Sequence, residues 1–326
     1  MSAAAPLVRA PVACIGETMA ALVPDPAAPL EGAGQLGVRI AGAESNVAVY
    51  LADHGVSARW VSALGDDPFG RRIRGEVAAA GVDVSGVLTD PHRPTGLLVK
   101  DPGPQGTRVH YYRRGSAASA LAADVLEQEA VRTAGLVHLT GVTPALSASC
   151  RDLVGTLMEP PPAERPRPVS FDVNHRAALW SAGTAPRVLL ALAGRADIVF
   201  VGLDEAQDLW GEELKDAADV RELLPGPRVL VVKDGGTDAT AFDPTGVHRV
   251  AARRVDVVEP VGAGDAFAAG FLAGLLRGED SVRALRLGHL TAGAALRVTG
   301  DHGPLPSPGR IAELLDAAPE VWSQDG

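Results

Sequence analysis

One alternation runs almost from end to end of the chain: a short apolar run, then a stretch with helical spacing. The runs are VACIG at 12–16, ARWVSALG at 58–65, LVHLTG at 136–141, PVSFDVN at 168–174, DIVFVG at 197–202 and RVLVVK at 228–233. Nearly continuous apolar runs this short suit strands covered on both faces. Residues 43–54 place Val47, Tyr50 and Leu51 at helical spacing, with Gly55 set to stop the helix, and 68–80 form a second helix ending at Gly81. Strands separated by helices predict a doubly wound α/β sheet with helices on both faces. At 326 residues, the expectation is a single α/β domain over 1–326 with at most a small appendage.

Two stretches break the rhythm. Residues 19–40 hold MAALVPD and, after Pro/Gly-rich turns, LGVRI; residues 96–112 hold GLLVK, the turn DPGPQG and TRVHYY. Both read as antiparallel strands without partner helices, the second a hairpin by its turn chemistry. They predict a small sheet inserted into the core, either a lid over a site or an edge hairpin of the main sheet. EPPPAERPRP at 159–168 can neither continue a helix nor pair centrally, so a surface loop is expected.

A net charge of −10 argues against sequence-independent binding to nucleic acid or to an anionic membrane. Cys14 and Cys150 are the only cysteines and lack metal spacing, which fits a reducing compartment. No apolar run approaches the roughly 18 residues that would span a bilayer. The opening MSAAAPLVRAPVACIGE lacks a basic segment followed by an apolar one. A soluble, unexported, cytoplasmic protein is expected.

The sharpest chemical signal is VGAGDAFAAGFLAGLL at 261–276. A strand-rich stretch is expected to end near Val258, after which Gly262, Ala263 and Gly264 lead into a helix whose first turn carries Asp265. Glycines allow a tight turn with several N–H groups aimed at one spot, and the helix dipole adds positive potential there. An aspartate would repel a phosphate bound at such a hole. Its presence makes sense if it takes the proton of a hydroxyl that attacks phosphorus, which is phosphoryl transfer to an alcohol. The bland alternative is Asp265 as an ordinary first-turn residue, with the glycines serving close packing. The chain has no G-x-x-x-x-G-K-[ST], no full G-x-G-x-x-G here, and no H-E-x-x-H, G-x-S-x-G or protein-kinase set. His138, His175, His289 and His302 show no zinc spacing.

GAESN at 42–46 together with the Gly-Ala-Gly-Asp segment resembles the ribokinase (PfkB) family of carbohydrate kinases, and the similarity extends over nearly the whole chain. The resemblance implies a ribokinase-like doubly wound αβα core with a small β-sheet lid formed by segments at about 19–40 and 96–112. It implies ATP and Mg²⁺ as cofactors, Asp265 as the base, and the backbone of 262–264 as the hold on the transferring phosphate. It further implies nucleotide contacts from Lys233, Gly235 and Gly236, an adenine neighbourhood at 289–295 including His289 and Ala292, and a homo-oligomer.

VACIGETMAALVPD, VHYYRRGSAASAL, VHLTGVTPALS, FDVNHRAALW and TGDHG resemble, in order, the subgroup acting on 2-keto-3-deoxygluconate. Acceptor contacts are implied for Gly42, Asn46, Leu98, Tyr111, Arg113, Arg176 and Asp301, and a water-mediated Mg²⁺ role for Glu205. A sugar carboxylate suits planar, always-charged guanidinium groups, which favours Arg113 and Arg176 as its anchors. Alternation puts Tyr111 and Arg113 on one side and Tyr112 on the other. Blander roles stay open: solvation for Arg113, loop capping for Arg176, packing for Tyr111, a turn cap for Asn46 and a helix surface for Glu205. Leu98, Gly202, Asp238 and Glu259 depart from the family pattern. Leu98 removes a lid hydroxyl, Asp238 brings charge towards the nucleotide, Gly202 weakens the metal role of Glu205, and Glu259 leaves a monovalent-cation site in doubt. Kinases for the galacto epimer or fructose, and a sugar or nucleotide sensor without turnover, are the rival readings.

Overall fold

The computed structural model describes residues 10–25, 28–103, 106–181 and 183–322. In chain order its strands are β1 (Val12–Ile15), β2 (Met19–Pro24), β3 (Leu36–Ala41), β4 (Ala58–Gly65), β5 (Val87–Asp90), β6 (Leu97–Gly103), β7 (Gly106–Tyr112), β8 (Leu136–Thr140), β9 (Val169–Asp172), β10 (Ile198–Gly202), β11 (Val229–Asp234), β12 (Asp238–Asp243) and β13 (Gly246–Ala251). The helices are α1 (Ala43–Asp53), α2 (Pro68–Ala79), α3 (Glu129–Arg132), α4 (Thr143–Leu146), α5 (Ala148–Met158), α6 (Ala185–Ala193), α7 (Leu203–Trp210), α8 (Ala217–Leu223), α9 (Ala263–Leu276), α10 (Ser281–Leu296), α11 (Pro308–Leu315) and α12 (Pro319–Trp322).

Nine strands form one sheet in the order β13-β12-β11-β10-β9-β8-β1-β4-β5. Pairing is parallel from β11 to β5, and β12 and β13 extend one edge as antiparallel strands. Alternate side chains feed two cores. Val12, Cys14, Trp60, Phe200 and Val231 pack under α1, α9 and α10, whereas Ile15, Val61, Leu139, Phe171 and Val201 pack under α5, α6 and α7. Strands covered on both faces have no polar face to display, which is why they read as continuous apolar runs. The helix stops fall where expected, at Gly55 (φ 71°) and Gly81 (φ 86°).

The second sheet has four strands in the order β3-β2-β6-β7. Its hairpins β2–β3 and β6–β7 are antiparallel, but its central pairing, β2 with β6, is parallel. That corrects the expectation of purely antiparallel strands: two hairpins from distant segments meet side by side in one direction. Met19, Ala21, Ala41 and Leu98 give this sheet a small apolar cluster of its own. The expected DPGPQG turn includes positions 104–105, outside the described residues, as are residues 1–9 of the opening segment.

A second correction concerns the approach to α9. The last strand stops at Ala251, and 252–262 is a loop rather than strand-rich chain. Its valines find no sheet partner, and Val257 and Val258 are more than half exposed. The 159–168 segment holds one short 3₁₀ turn and is otherwise irregular. Among the described residues, no helix is long and apolar enough to cross a membrane.

Candidate active site

A cleft of about 1380 Å³ opens at the carboxyl ends of β9, β10 and β11, the place where open α/β sheets take their ligands. One face of the small sheet forms a wall through Leu98, Lys100, Val109 and Tyr111, and the loop 252–262 forms another. The floor is the start of α9. This helix is apolar and buried nearly all round, and its glycines let it lie close to α10: a Cβ on Gly270 would meet the Leu287 carbonyl oxygen at 2.5 Å. Packing therefore fixes the polar first turn in place.

Gly262 caps the helix at φ 85°, a left-handed conformation that glycine adopts freely. A Cβ there would also come within 3.1 Å of Asp301, so the turn is closed to side chains on two grounds. The amides of Gly264 and Asp265 precede the first intrahelical bonds and have no helical acceptor. They face the cleft that Gly262, Ala263, Gly264 and Asp265 line together.

Asp265 is 7% exposed and held by two amides. Asn46 Nδ2 donates to Oδ2 at 2.9 Å and Asn174 Nδ2 donates to Oδ1 at 3.0 Å. Asn46 also donates to Asp301 Oδ2 at 3.2 Å, which links the two carboxylates. Burial pushes the Asp265 carboxyl up to about 7; the Asn46 amide and Arg176 oppose this, while Asp172 and Asp301 add to it. Asp301 is raised by burial as well, against the pull of Asn46, Lys100 and Arg176. A carboxyl poised near neutrality between two donors is suited to accept a proton. Asn174 sits at φ 37°, the one positive-φ residue other than glycine among the described residues, and asparagine tolerates that region.

Farther along the cleft, Lys233 Nζ lies 3.1 Å from Asp172 Oδ2. Burial disfavours its charge, but Asp172 and Glu205 outweigh burial and raise its pKa. Glu205 accepts from His175 N at 2.5 Å and from Gly202 N at 3.2 Å, tying the start of α7 to the turn after β9. Burial and Asp172 raise its carboxyl above the usual range. Gly235 and Gly236 border the cleft beside Lys233. Asp238 lines it too, but its carboxylate is paired with Arg249, which neutralises the charge expected to trouble a nucleotide. At the far end His289, Ala292 and Leu296 of α10 join Phe267, Val255 and Val257 in a largely apolar slot. Burial lowers His289 to about 4, so its neutral ring donates to the Val250 carbonyl at 3.1 Å and packs edge-on against Phe267.

The acceptor-side residues divide. Leu98, Tyr111, Arg176 and Asp301 line the cleft. Arg113 does not: its guanidinium is buried against Glu17, with Nε donating to Oε2 at 2.6 Å, and lies 5.7 Å from the Tyr111 ring centre. Neither open solvation nor a free anion reader describes it in this conformation. Gly42 is the N-cap of α1, where a Cβ would strike Thr18 Oγ1 at 2.4 Å. Asp172, Asn174 and Lys100 escaped the sequence reading. FDVN carried a signal for the first two, since polar residues closing an apolar strand end at the cleft.

The pfkB family carbohydrate kinase profile matches residues 9–308. The 2-dehydro-3-deoxygluconokinase of Bacillus subtilis is 35% identical over 95% of this chain and 97% of its own length. That of Thermoproteus tenax is 35% identical over 93% of each chain. Among solved structures, the PfkB protein from Polaromonas sp. JS666 superposes with a TM-score of 0.82 at 35% identity, covering 93% of this chain and 99% of the other. With a doubly wound core, a four-stranded companion sheet and Asp265 at a glycine-capped helix start, the chain belongs to the pfkB family of carbohydrate kinases.

Proposed function

We propose that the protein transfers the γ-phosphoryl group of ATP to the terminal primary hydroxyl of 2-dehydro-3-deoxygluconate, giving the 6-phosphate. The observation that carries this reading is Asp265, buried beside the free amides of α9 with an amide donor on each oxygen. Asp265 takes the hydroxyl proton as its oxygen attacks phosphorus. The amides of Gly264 and Asp265 steady the charge on the phosphoryl oxygens. Lys233, with Gly235 and Gly236, holds the outer phosphates, and the slot around His289 and Ala292 takes the adenine.

Arg176 is exposed at the cleft wall, and its field reaches both Asp265 and Asp301, so it reads the acceptor's carboxylate end. Tyr111 meets the sugar hydroxyls, with Arg113 beneath its ring as a support. Among the described residues no cluster of His, Cys, Asp or Glu forms a metal cage. The donor set fits Mg²⁺ bound mainly by phosphates and water, with Glu205 and Asp172 accepting from that water. The metal would supply charge neutralisation on the phosphates.

The test is ADP release with Mg-ATP against 2-dehydro-3-deoxygluconate, its galacto epimer, gluconate, fructose, ribose and no acceptor. Preference for the keto-deoxy acids supports the reading. Turnover mainly on a neutral sugar would keep Asp265 and discard Arg176 as a carboxylate reader. ATP binding without any turnover would point to a sensor.

A further inference from the structure

Glu259 stands three residues before Gly262, and its role is not explained by the chemistry above. Its Oε2 accepts from Lys100 Nζ at 3.1 Å. The pair joins two walls of the cleft: Lys100 belongs to β6 of the small sheet, Glu259 to the loop that delivers the first turn of α9. Both side chains are withdrawn from solvent, Lys100 to 8% and Glu259 to 19% exposure, so the ion pair is less screened than a surface contact.

The loop end of this link is itself anchored. Val258 N donates to the Leu296 carbonyl at 2.7 Å, and Glu259 Oε1 accepts from Val261 N at 3.4 Å. The positive charge of Lys100 also acts on Asp301, which shares the Asn46 amide with Asp265. The field of the small sheet's Lys100 therefore reaches the carboxylate that shares an amide with the base. Length matters at position 259. An aspartate is shorter by one C–C bond of about 1.5 Å, enough to carry its oxygens out of ion-pair range of the ammonium.

We propose that Lys100 is a positioning residue that, through Glu259, couples the placement of the small sheet over the acceptor to the seating of the 262–264 amides. The inference deepens the kinase reading and rests on it. The sheet and the amide turn move into working position together. Breaking the link lets the phosphate site form without the acceptor wall in place, which favours transfer to water.

The experiment compares wild type with K100M, E259Q, E259D, K100M/E259Q and the exchanged pair K100E/E259K. Each protein is assayed for sugar phosphorylation and for ADP release without acceptor, and amide hydrogen exchange of 252–262 is measured on the unliganded proteins. Contacting residues typically couple strongly enough for single losses of about tenfold. We expect kcat to fall by about that factor in K100M, E259Q and E259D, with KM for ATP within about twofold and more ADP released per sugar phosphorylated. The double neutral variant should lose no more than either single, and 252–262 should exchange faster in all of them. The exchanged pair should restore both kinetics and exchange.

Additive losses in the double variant, or E259D behaving as wild type, would overturn the proposal. So would unchanged exchange of 252–262, or a rise in sugar KM at intact kcat in K100M, which would make Lys100 an acceptor ligand. Should wild type fail to phosphorylate the sugar acid, the substrate reading falls, while hydrogen exchange across the variants still decides the coupling.

Discussion

Asn174→Gly isolates the tuning of the base. Glycine accepts the φ of 37° that Asn174 holds, so the substitution removes the donor to Asp265 Oδ1 without the strain alanine would bring. A hydrogen bond to a charged acceptor contributes about 1.5–3 kcal/mol, and one pKa unit corresponds to about 1.4 kcal/mol. Losing it should lift Asp265 from about 7 by about one to two units. In the proposed mechanism the ionised form is the active base, so a higher pKa moves the acid limb of the rate profile to higher pH. At pH 7 the ionised fraction drops from about one half to between about 1 and 10%, a loss of about 5- to 50-fold in kcat/KM that shrinks to about twofold or less at pH 9. The assay is kcat/KM for the acceptor from pH 5.5 to 9.5 at saturating Mg-ATP, because this parameter reports the Mg-ATP-loaded enzyme before the acceptor binds. A uniform fall with an unmoved acid limb, or a wild-type limb below pH 5, would refute the reasoning.

Asp265→Asn should keep ATP affinity, measured by titration calorimetry, while kcat drops by about 10²–10⁴; near-wild-type turnover would remove Asp265 from the mechanism. Arg176→Ala should raise KM for the sugar acid far more than for a neutral sugar, and equal effects on both would dismiss it as a carboxylate reader. His54 is buried against Thr291 and lowered to about 4 by burial, so it remains neutral in the fold while the unfolded chain takes up a proton below about 6.5. Its contribution to stability is present above that pH and is lost as pH falls towards 4, by about 1.4 kcal/mol per pH unit. His54→Gln should flatten the slope of unfolding free energy between pH 6.5 and 4.5 in urea melts, and an unchanged slope would contradict this.

The large sheet was legible because strands buried on both faces leave a composition that little else produces. ARWVSALG becomes β4 over the same residues, Ala58–Gly65. The same rule misleads at VDVVEPV. Those valines carry strand-like residue types but lie in a loop, because β-propensity expresses packing against neighbours that this segment lacks. Local parity placed Arg113 on the Tyr111 side of β7, and their cation–ring contact agrees with it. Parity could not reveal Glu17, 96 residues away, which takes the guanidinium. The same limit hid the hold on Asp265: Asn46 and Asn174 come from distant segments, and only the folded sheet brings them to one carboxylate. Glu259 was visible as a departure, but its partner across the cleft was not.

The small sheet keeps an apolar cluster apart from the two cores beneath it, and Asp265 rides on a helix anchored in the larger of the molecule's two parts. Variation that spares Lys100, the sheet's link to the amide turn, can therefore work on the choice of acceptor with the apparatus that moves phosphorus left in place. A library confined to Leu98, Val109 and Tyr111 would redraw the wall the acceptor meets and leave the base, its amides and the helix that carries them as inherited.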